Sequence, residues 1–285
     1  MKNKKKLIKI IVIILVGLAY FHFRFPTFGV RMISSPESDL KAHFIDVGQG
    51  DSCFIELPNG ETMLIDCGES KYANDVVTYI ADLGYKTIDY VVATHGDADH
   101  IGGFYQVFDD FEIENCFTSF YKSKTKTYER FCDSVENEGI EMKTAYADDY
   151  IIDTNYLDIK VLGPDKTLFY EDTNAASVVL LISYYETDFL FTGDVTYQML
   201  EKYNIGDIEL LKASHHGSYT GISKRLVRET DPEYTVISAG INNRYNHPHE
   251  ETLELLSDSQ IYCTSEFGTI VACCDGENLE FITQK

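Results

Sequence analysis

Five times along this chain a short apolar run stops at a glycine with aspartate or histidine beside it. The runs end in Asp46-Val47-Gly48-Gln49-Gly50-Asp51, in Leu64-Ile65-Asp66-Cys67-Gly68, in Thr94-His95-Gly96-Asp97-Ala98-Asp99-His100, in Thr192-Gly193-Asp194 and in Ser214-His215-His216-Gly217-Ser218. Turn chemistry accounts for glycine and aspartate at one strand end, but hardly for the same chemistry at five. In α/β proteins ligands gather at strand ends. The pattern therefore predicts a domain in which several β-strands deliver polar groups to one site.

The rest of the body fits that class. Apolar, β-branched runs at residues 42–47, 53–57, 62–67, 88–93, 178–184, 188–192, 208–213, 234–238, 261–264, 269–273 and 279–283 read as strands, with Pro58-Asn59-Gly60 a turn between the second and third. Helical periodicity recurs at residues 74–83, 125–137, 196–203, 221–228 and 249–256. No linker, repeat or low-complexity run interrupts residues 36–285, which we read as one α/β domain.

Residues 1–35 have a different character. They carry seven basic residues and no acid, a balance of +7. Lys2, Lys4, Lys5 and Lys6 lead into an apolar stretch at 10–21 that, taken from 7 to 25, is long enough to cross a bilayer. Tyr20, Phe21, His22 and Phe23 are too bulky for a signal-peptidase site, so an uncleaved signal anchor is expected, with secretion the alternative if the leader is cut. Positive charge on the short side places the body outside the cell membrane, as a single-pass protein. The formal net charge of −22 then leaves −29 on residues 36–285. A body that acidic repels polyanions at long range and makes a broad nucleic-acid face or anionic-membrane face a poor expectation. Lys122, Lys124, Lys126 and Arg130, flanked by Tyr121 and Tyr128, form the one basic segment; we read it as a solvated loop leading into a helix. The seven cysteines have no Cys-x-x-Cys spacing and read mostly as small apolar strand residues.

The segment Thr94–His100 is the most informative, because it presents two imidazoles and two carboxylates within six residues of a strand end. Histidine with carboxylate suits zinc, manganese or iron; the competing reading is that Asp97 and Asp99 merely cap the next helix. Asp66, read from its own surroundings, is a strand-end cap. Gln49 and Asp51 either support the site or belong to a tight turn around Gly48 and Gly50.

As a set these motifs resemble the metallo-β-lactamase superfamily, and within it the C-terminal hydrolase domain of the ComEC competence proteins, over about residues 40–285. The residues that carry the resemblance are Asp46–Asp51, His95 to His100, Asn174 to Ser177, Gly193-Asp194, His215–Ser218 and Tyr245-Asn246-His247-Pro248. The implied fold is an αββα sandwich, here preceded by one N-terminal apolar helix, with the site between the two sheets. The implied cofactor is one or two divalent ions, Zn²⁺ or Mn²⁺. On that resemblance His95 and Asp97 bind one ion and Asp99 and His100 another, Asp194 bridges them and His215 completes the set. Asp99, His216 and His247 are the candidates for acting directly on substrate; Asp46, Gln49, Asp51, Asp66, Asn174 and Ser177 are supporting residues. Two departures stand out. Asp97 replaces the second histidine of the signature, and no histidine lies near residues 173–174. Both make the site richer in oxygen, which favours Mn²⁺ or allows either metal.

The function implied is metal-dependent hydrolysis, of a phosphodiester first, with DNA the substrate that the resemblance suggests. The alternatives are a small or cell-wall phosphodiester, as for the phosphorylcholine esterases, or a surface binding protein that keeps the fold without the chemistry. True β-lactamase activity fits less well, because the missing middle histidine departs from those enzymes. No protein partner is deducible.

Overall fold

The computed structural model describes residues 39–285. Among these described residues fifteen strands form two sheets. The first half of the chain supplies β1 (Leu40–Phe44), β2 (Cys53–Glu56), β3 (Thr62–Ile65), β4 (Thr87–Ala93), β5 (Glu112–Thr118) and β6 (Met142–Thr144). The second half supplies β7 (Tyr150–Asp153), β8 (Leu157–Gly163), β9 (Val179–Tyr184), β10 (Thr187–Phe191), β11 (Leu210–Lys212), β12 (Tyr234–Ile237) and β13 (Gln260–Cys263). β14 (Ile270–Cys274) and β15 (Leu279–Thr283) return to the first sheet, whose order is β15-β14-β1-β2-β3-β4-β5-β6; the second runs β13-β12-β11-β10-β9-β8-β7. Each sheet is antiparallel on one side and parallel on the other, β3 to β6 and β10 to β13 being the parallel sets.

Alternation along the strands builds four layers. Met63 and Ile65 of β3, Val92 of β4 and Phe189 and Phe191 of β10 point between the sheets, where Phe44 stacks on Phe191 at 6.0 Å. Leu64 and Val91 point the other way. They meet helices α1 (Ala73–Asp82), α3 (Phe104–Asp110) and α4 (Lys126–Glu138) through Val76, Ile80, Phe104 and Phe131. On the far face Leu190 and Leu211 meet α5 (Tyr197–Leu200) and α6 (Lys224–Thr230) through Met199, Leu200 and Leu226. The one-turn helix α2 (Ala98–Ile101) follows β4, while α7 (Glu250–Leu255) and α8 (Thr264–Phe267) lie near the C-terminus. This is the expected α/β sandwich, helix on sheet on sheet on helix.

The expected N-terminal apolar helix lies outside the described residues, and among the described residues no helix is long and apolar enough to cross a membrane. The helix expected over 196–203 keeps only Tyr197–Leu200, because Lys202 and Tyr203 bond three residues back and tighten into turns. Helix α3 and strands β5 to β8 were not anticipated. β5 carries exposed Glu112 and Glu114, so its alternation is written in charge rather than in β-branched residues. All seven cysteines are free, and five of them are buried.

Candidate metal centre

The turns that follow β1, β3, β4, β10, β11 and β12 converge. The Asp46–Asp51 turn lies under the β4 loop, where Asp51 N–H donates to the Asp99 carbonyl at 3.1 Å. A Cβ on Gly50 would come within 2.5 Å of that carbonyl, so only glycine fits there.

Asp66 organises the loop from beneath. It accepts from Thr94 N–H at 2.8 Å, Thr94 Oγ1 at 2.7 Å and His100 Nδ1 at 2.7 Å, and so clamps both ends of the segment. This is more than a strand-end cap. Asp97 holds the N-cap position of α2 but makes no capping bond with its side chain. Its Oδ2 lies 3.9 Å from His95 Nε2 instead.

Asp194 is the centre of the cluster. Its Oδ1 lies 3.2 Å from His100 Nε2, and its Oδ2 lies 3.9, 3.6 and 3.7 Å from the Nε2 atoms of His95, His215 and His216. Asp194 N–H donates to Ser177 Oγ, which donates in turn to the Asn174 carbonyl, so Asn174 contributes its backbone to the support. His215 and His216 both have left-handed backbones, φ 51° and 55°, a conformation costly for non-glycine residues and found where a site requires it. The turn splays the two rings. His216 goes inward and is buried, while His215 stays about one-third exposed.

Hydrogen bonds decide the tautomers. His216 Nδ1 lies 3.1 Å from the Ser238 carbonyl, which can only accept, so Nδ1 carries a hydrogen. His100 Nδ1 likewise donates to Asp66. His95 Nδ1 faces Thr94 Oγ1 at 3.0 Å, and since that hydroxyl gives its hydrogen to Asp66, His95 donates to it. Each neutral ring therefore turns an unprotonated Nε2 inward, the form that ligates metal.

Five inward atoms are buried with no hydrogen-bond partner: Asp51 Oδ1, His95 Nε2, His100 Nε2, Asp194 Oδ1 and His216 Nε2. Stranded polar atoms cost about 1–3 kcal/mol each, so a cluster of five such atoms facing one point is the chemistry of a ligand-binding centre. Asp51, His100, Asp194 and His216 each offer one ligand atom within 4.8 Å of the others. The donor set of imidazole nitrogen and carboxylate oxygen fits a divalent ion such as Zn²⁺ or Mn²⁺.

Electrostatics agree. Burial disfavours charge on His100 and His216, yet Asp194 and Asp66 hold His100 well above its ordinary range, and Asp194 and Asp51 push His216 up to about 10. Against burial, His100 and His216 hold Asp194 well below the ordinary carboxylate range. The carboxylates thus favour positive charge at these two rings, the charge that a divalent ion would bring to their neutral form. His95, buried and beside His100, falls to about 4.

Of the residues expected to ligate or act, His95, Asp97, Asp99, His100, Asp194, His215 and His216 meet around Asp194. His216, expected to act on substrate, is a member of the tight buried quartet, and so is Asp51, expected as support. Asp99 reaches in with Oδ2 3.5 Å from His216 Nε2. Gln49 and His247 form the mouth. Gln49 Oε1 accepts from Gly240 N–H at 3.2 Å, which turns its amide nitrogen to His247 Nδ1 at 3.5 Å. Half-buried His247 is lowered to about 4 by burial and by His216. Asp46 stands apart: it caps Gly48 N–H and lies 3.5 Å from Lys285. Arg130 of the basic segment is committed to Ser70 Oγ and the Gly102 carbonyl.

Reading the sequence missed two supports. Thr94 fixes His95, and its only signal was its place before the histidine. Lys212 is buried and bonded to Asp51 at 2.8 Å; a lysine at the end of the apolar run Leu210-Leu211-Lys212 was the available signal.

Residues 45–241 match the profile of the Metallo-beta-lactamase superfamily. The chain belongs to the metallo-beta-lactamase superfamily. Membership implies a metal-dependent hydrolase. Among curated proteins, ComE operon protein 3 of Bacillus subtilis (strain 168) is 26% identical over 257 residues, covering 82% of this chain and 33% of that protein. Competence protein ComA of Neisseria gonorrhoeae is 29% identical over 224 residues, 75% of this chain and 29% of that protein. This metallo-beta-lactamase chain thus spans about a third or less of the competence relatives it matches. The crystal structure of the metallo-beta-lactamase fold protein YhfI from Bacillus subtilis superposes with a TM-score of 0.50 at 14% identity, covering 79% of this chain and 96% of that one. That likeness is one of fold.

Proposed function

We propose that this chain is a metal-dependent phosphodiesterase of the ComEC type, and the observation that carries the reading is the ring of unpartnered Nε2 and carboxylate atoms around Asp194. His95, Asp97, Asp99, His100, Asp194, His215 and His216 would hold one or two divalent ions. Such an ion supplies Lewis acidity and an ionisable water near neutral pH.

The chain's own residues do the rest. Asp66, and Asp51 backed by Lys212, fix the rings of His100 and His216. His247 is neutral at pH 7 and accepts from Gln49 at Nδ1, so its Nε2–H is a donor for a substrate oxygen. A group lowered to about 4 is poorly protonated at neutral pH, so His247 positions substrate rather than protonating the leaving group.

DNA is the substrate class that the likeness to competence proteins supports. The −29 balance on residues 36–285 favours a second reading, a short or small phosphodiester, which needs no long basic groove. Residues 1–35 are proposed as a membrane anchor that leaves the hydrolase outside the cell.

The test uses the full-length chain purified without chelator. Metal content is measured together with turnover of bis-p-nitrophenyl phosphate and single-stranded DNA, with added Mn²⁺ or Zn²⁺. Stoichiometric metal and turnover lost in Asp194→Asn support the reading, and the DNA result chooses between substrates. A folded protein that takes up no metal and turns over neither substrate overturns it in favour of a surface binding protein.

A further inference from the structure

Beside Asp99 a cleft of about 410 Å³ opens off the centre, walled by Gln49, Lys71, Arg244 and Tyr245. Its outer wall is the loop 240–249, and one side chain holds that loop in shape. Asn243 Nδ2 donates to the carbonyls of Gly240 at 2.9 Å and His247 at 2.6 Å, while its Oδ1 accepts from the N–H groups of Tyr245 at 3.1 Å and His247 at 3.0 Å. The loop also packs against the Asp46–Asp51 turn, where a Cβ on Gly240 would sit 2.8 Å from the Gln49 nitrogen. It is a built wall.

On it stands a ladder of flat groups. The Arg244 guanidinium lies over the Tyr245 ring at 4.7 Å and donates to its hydroxyl, and Tyr245 stacks on His247 at 5.5 Å and 23°. Stacking fixes the plane of the guanidinium and leaves most of its N–H donors free. Lys71 across the cleft is bound to Glu69 at 3.1 Å, whereas Arg244 makes no close ion pair among the described residues and feels Glu69 and Asp99 only at longer range. An arginine that makes no close ion pair and lies flat on Tyr245 beside the centre offers planar donors that match phosphate oxygens.

We propose that this cleft is a phosphate subsite, in which Arg244 binds the phosphate one unit along from the one hydrolysed. The inference rests on the phosphodiesterase reading and refines it. The substrate then carries a second phosphate near the scissile one, within the span of the cleft that Arg244 and Asp99 both line. Recognition of one neighbouring phosphate also reconciles a phosphodiester substrate with the acidic surface, because it needs no extended basic groove.

The test compares the p-nitrophenyl ester of thymidine 5′-phosphate with and without a 3′-phosphate, on the full-length wild-type chain, Arg244→Ala and Arg244→Lys. The wild type should prefer the ester that carries the 3′-phosphate by about tenfold or more in kcat/KM. Arg244→Ala should lose that preference and Arg244→Lys keep part of it. No preference in the wild type, or a preference that survives in Arg244→Ala, overturns the subsite while leaving hydrolysis intact. A second readout is independent of turnover: calorimetric binding of thymidine 3′,5′-bisphosphate to chelated protein. Binding that exceeds that of the 5′-monophosphate and falls about tenfold in Arg244→Ala supports the subsite even if neither ester is cleaved, in which case only the hydrolase reading fails. Equal binding by wild type and Arg244→Ala overturns it.

Discussion

The Nζ of Lys212 lies 2.8 Å from Oδ2 of Asp51, across 161 residues of sequence, with both side chains almost wholly buried. Lys212 also donates to the Ala213 carbonyl at 3.2 Å, and the other Asp51 oxygen lies 3.2 Å from His216 Nδ1. The ammonium thus holds a carboxylate that backs a candidate ligand. Removing one partner of a buried pair strands the other charge. Lys212→Met should lower unfolding stability by about 3–5 kcal/mol in chelator. Asp51→Asn in the same chain should restore part of the loss. Urea unfolding of the three proteins measures this, and a loss below about 1 kcal/mol in the single variant would contradict the pairing.

Asp194 meets four imidazoles, so its charge is the shared term of the cluster. Asp194→Asn should reduce bound metal below one equivalent after dialysis and remove turnover of bis-p-nitrophenyl phosphate. Because His100 and His216 attract the Asp194 carboxylate against its burial, a neutral amide loses that attraction, and the metal-free variant should be less stable than the metal-free wild type. Metal analysis and thermal unfolding in chelator read the two effects separately.

Asp66 touches the centre only through Thr94 and His100. Asp66→Asn should weaken metal binding by about 10–100-fold, the usual cost of losing a carboxylate behind a metal-ligating histidine. Thr94→Val, which removes the hydroxyl that His95 Nδ1 faces, should weaken it less. Competition with a chromogenic chelator gives both values, and unchanged affinity in Asp66→Asn would refute the orienting role.

A pH effect independent of the metal centre is expected at Glu56. It bonds His43 Nε2 at 2.9 Å and Tyr85 Oη at 2.8 Å, and the His43 contact is the chief cause that lowers its carboxyl from 4.5 to about 2 despite burial. A folded-state value below the unfolded one means the stabilisation is complete above about pH 4.5 and is lost as the pH falls towards 2. Its size is on the order of 2 kcal/mol after allowance for solvent at a partly exposed carboxylate. Glu56→Gln should flatten that part of the stability curve, measured by urea titrations between pH 2 and 6.

What the sequence determined by itself was local. An apolar run ending in His95-Gly96-Asp97-Ala98-Asp99-His100 must leave a strand and expose ligands, and five such ends in one domain must share a site, because side-chain alternation and turn chemistry act over a few residues. The sandwich, the strand ends and most of the polar cluster were legible for that reason. Strand β5 was less so, since exposed Glu112 and Glu114 disguise a half-buried strand as a loop.

Only the tertiary structure decided which polar groups face which. Nothing local distinguishes His215 from His216; the left-handed turn and the Ser238 carbonyl, brought in by β12, send His216 inward. Lys212 acquires its meaning from Asp51, and Arg244 from a loop that Asn243 holds against the Asp46–Asp51 turn. Charge and hydrogen-bond energies depend on distance and burial, and residues far apart in sequence acquire both only when the two sheets pack.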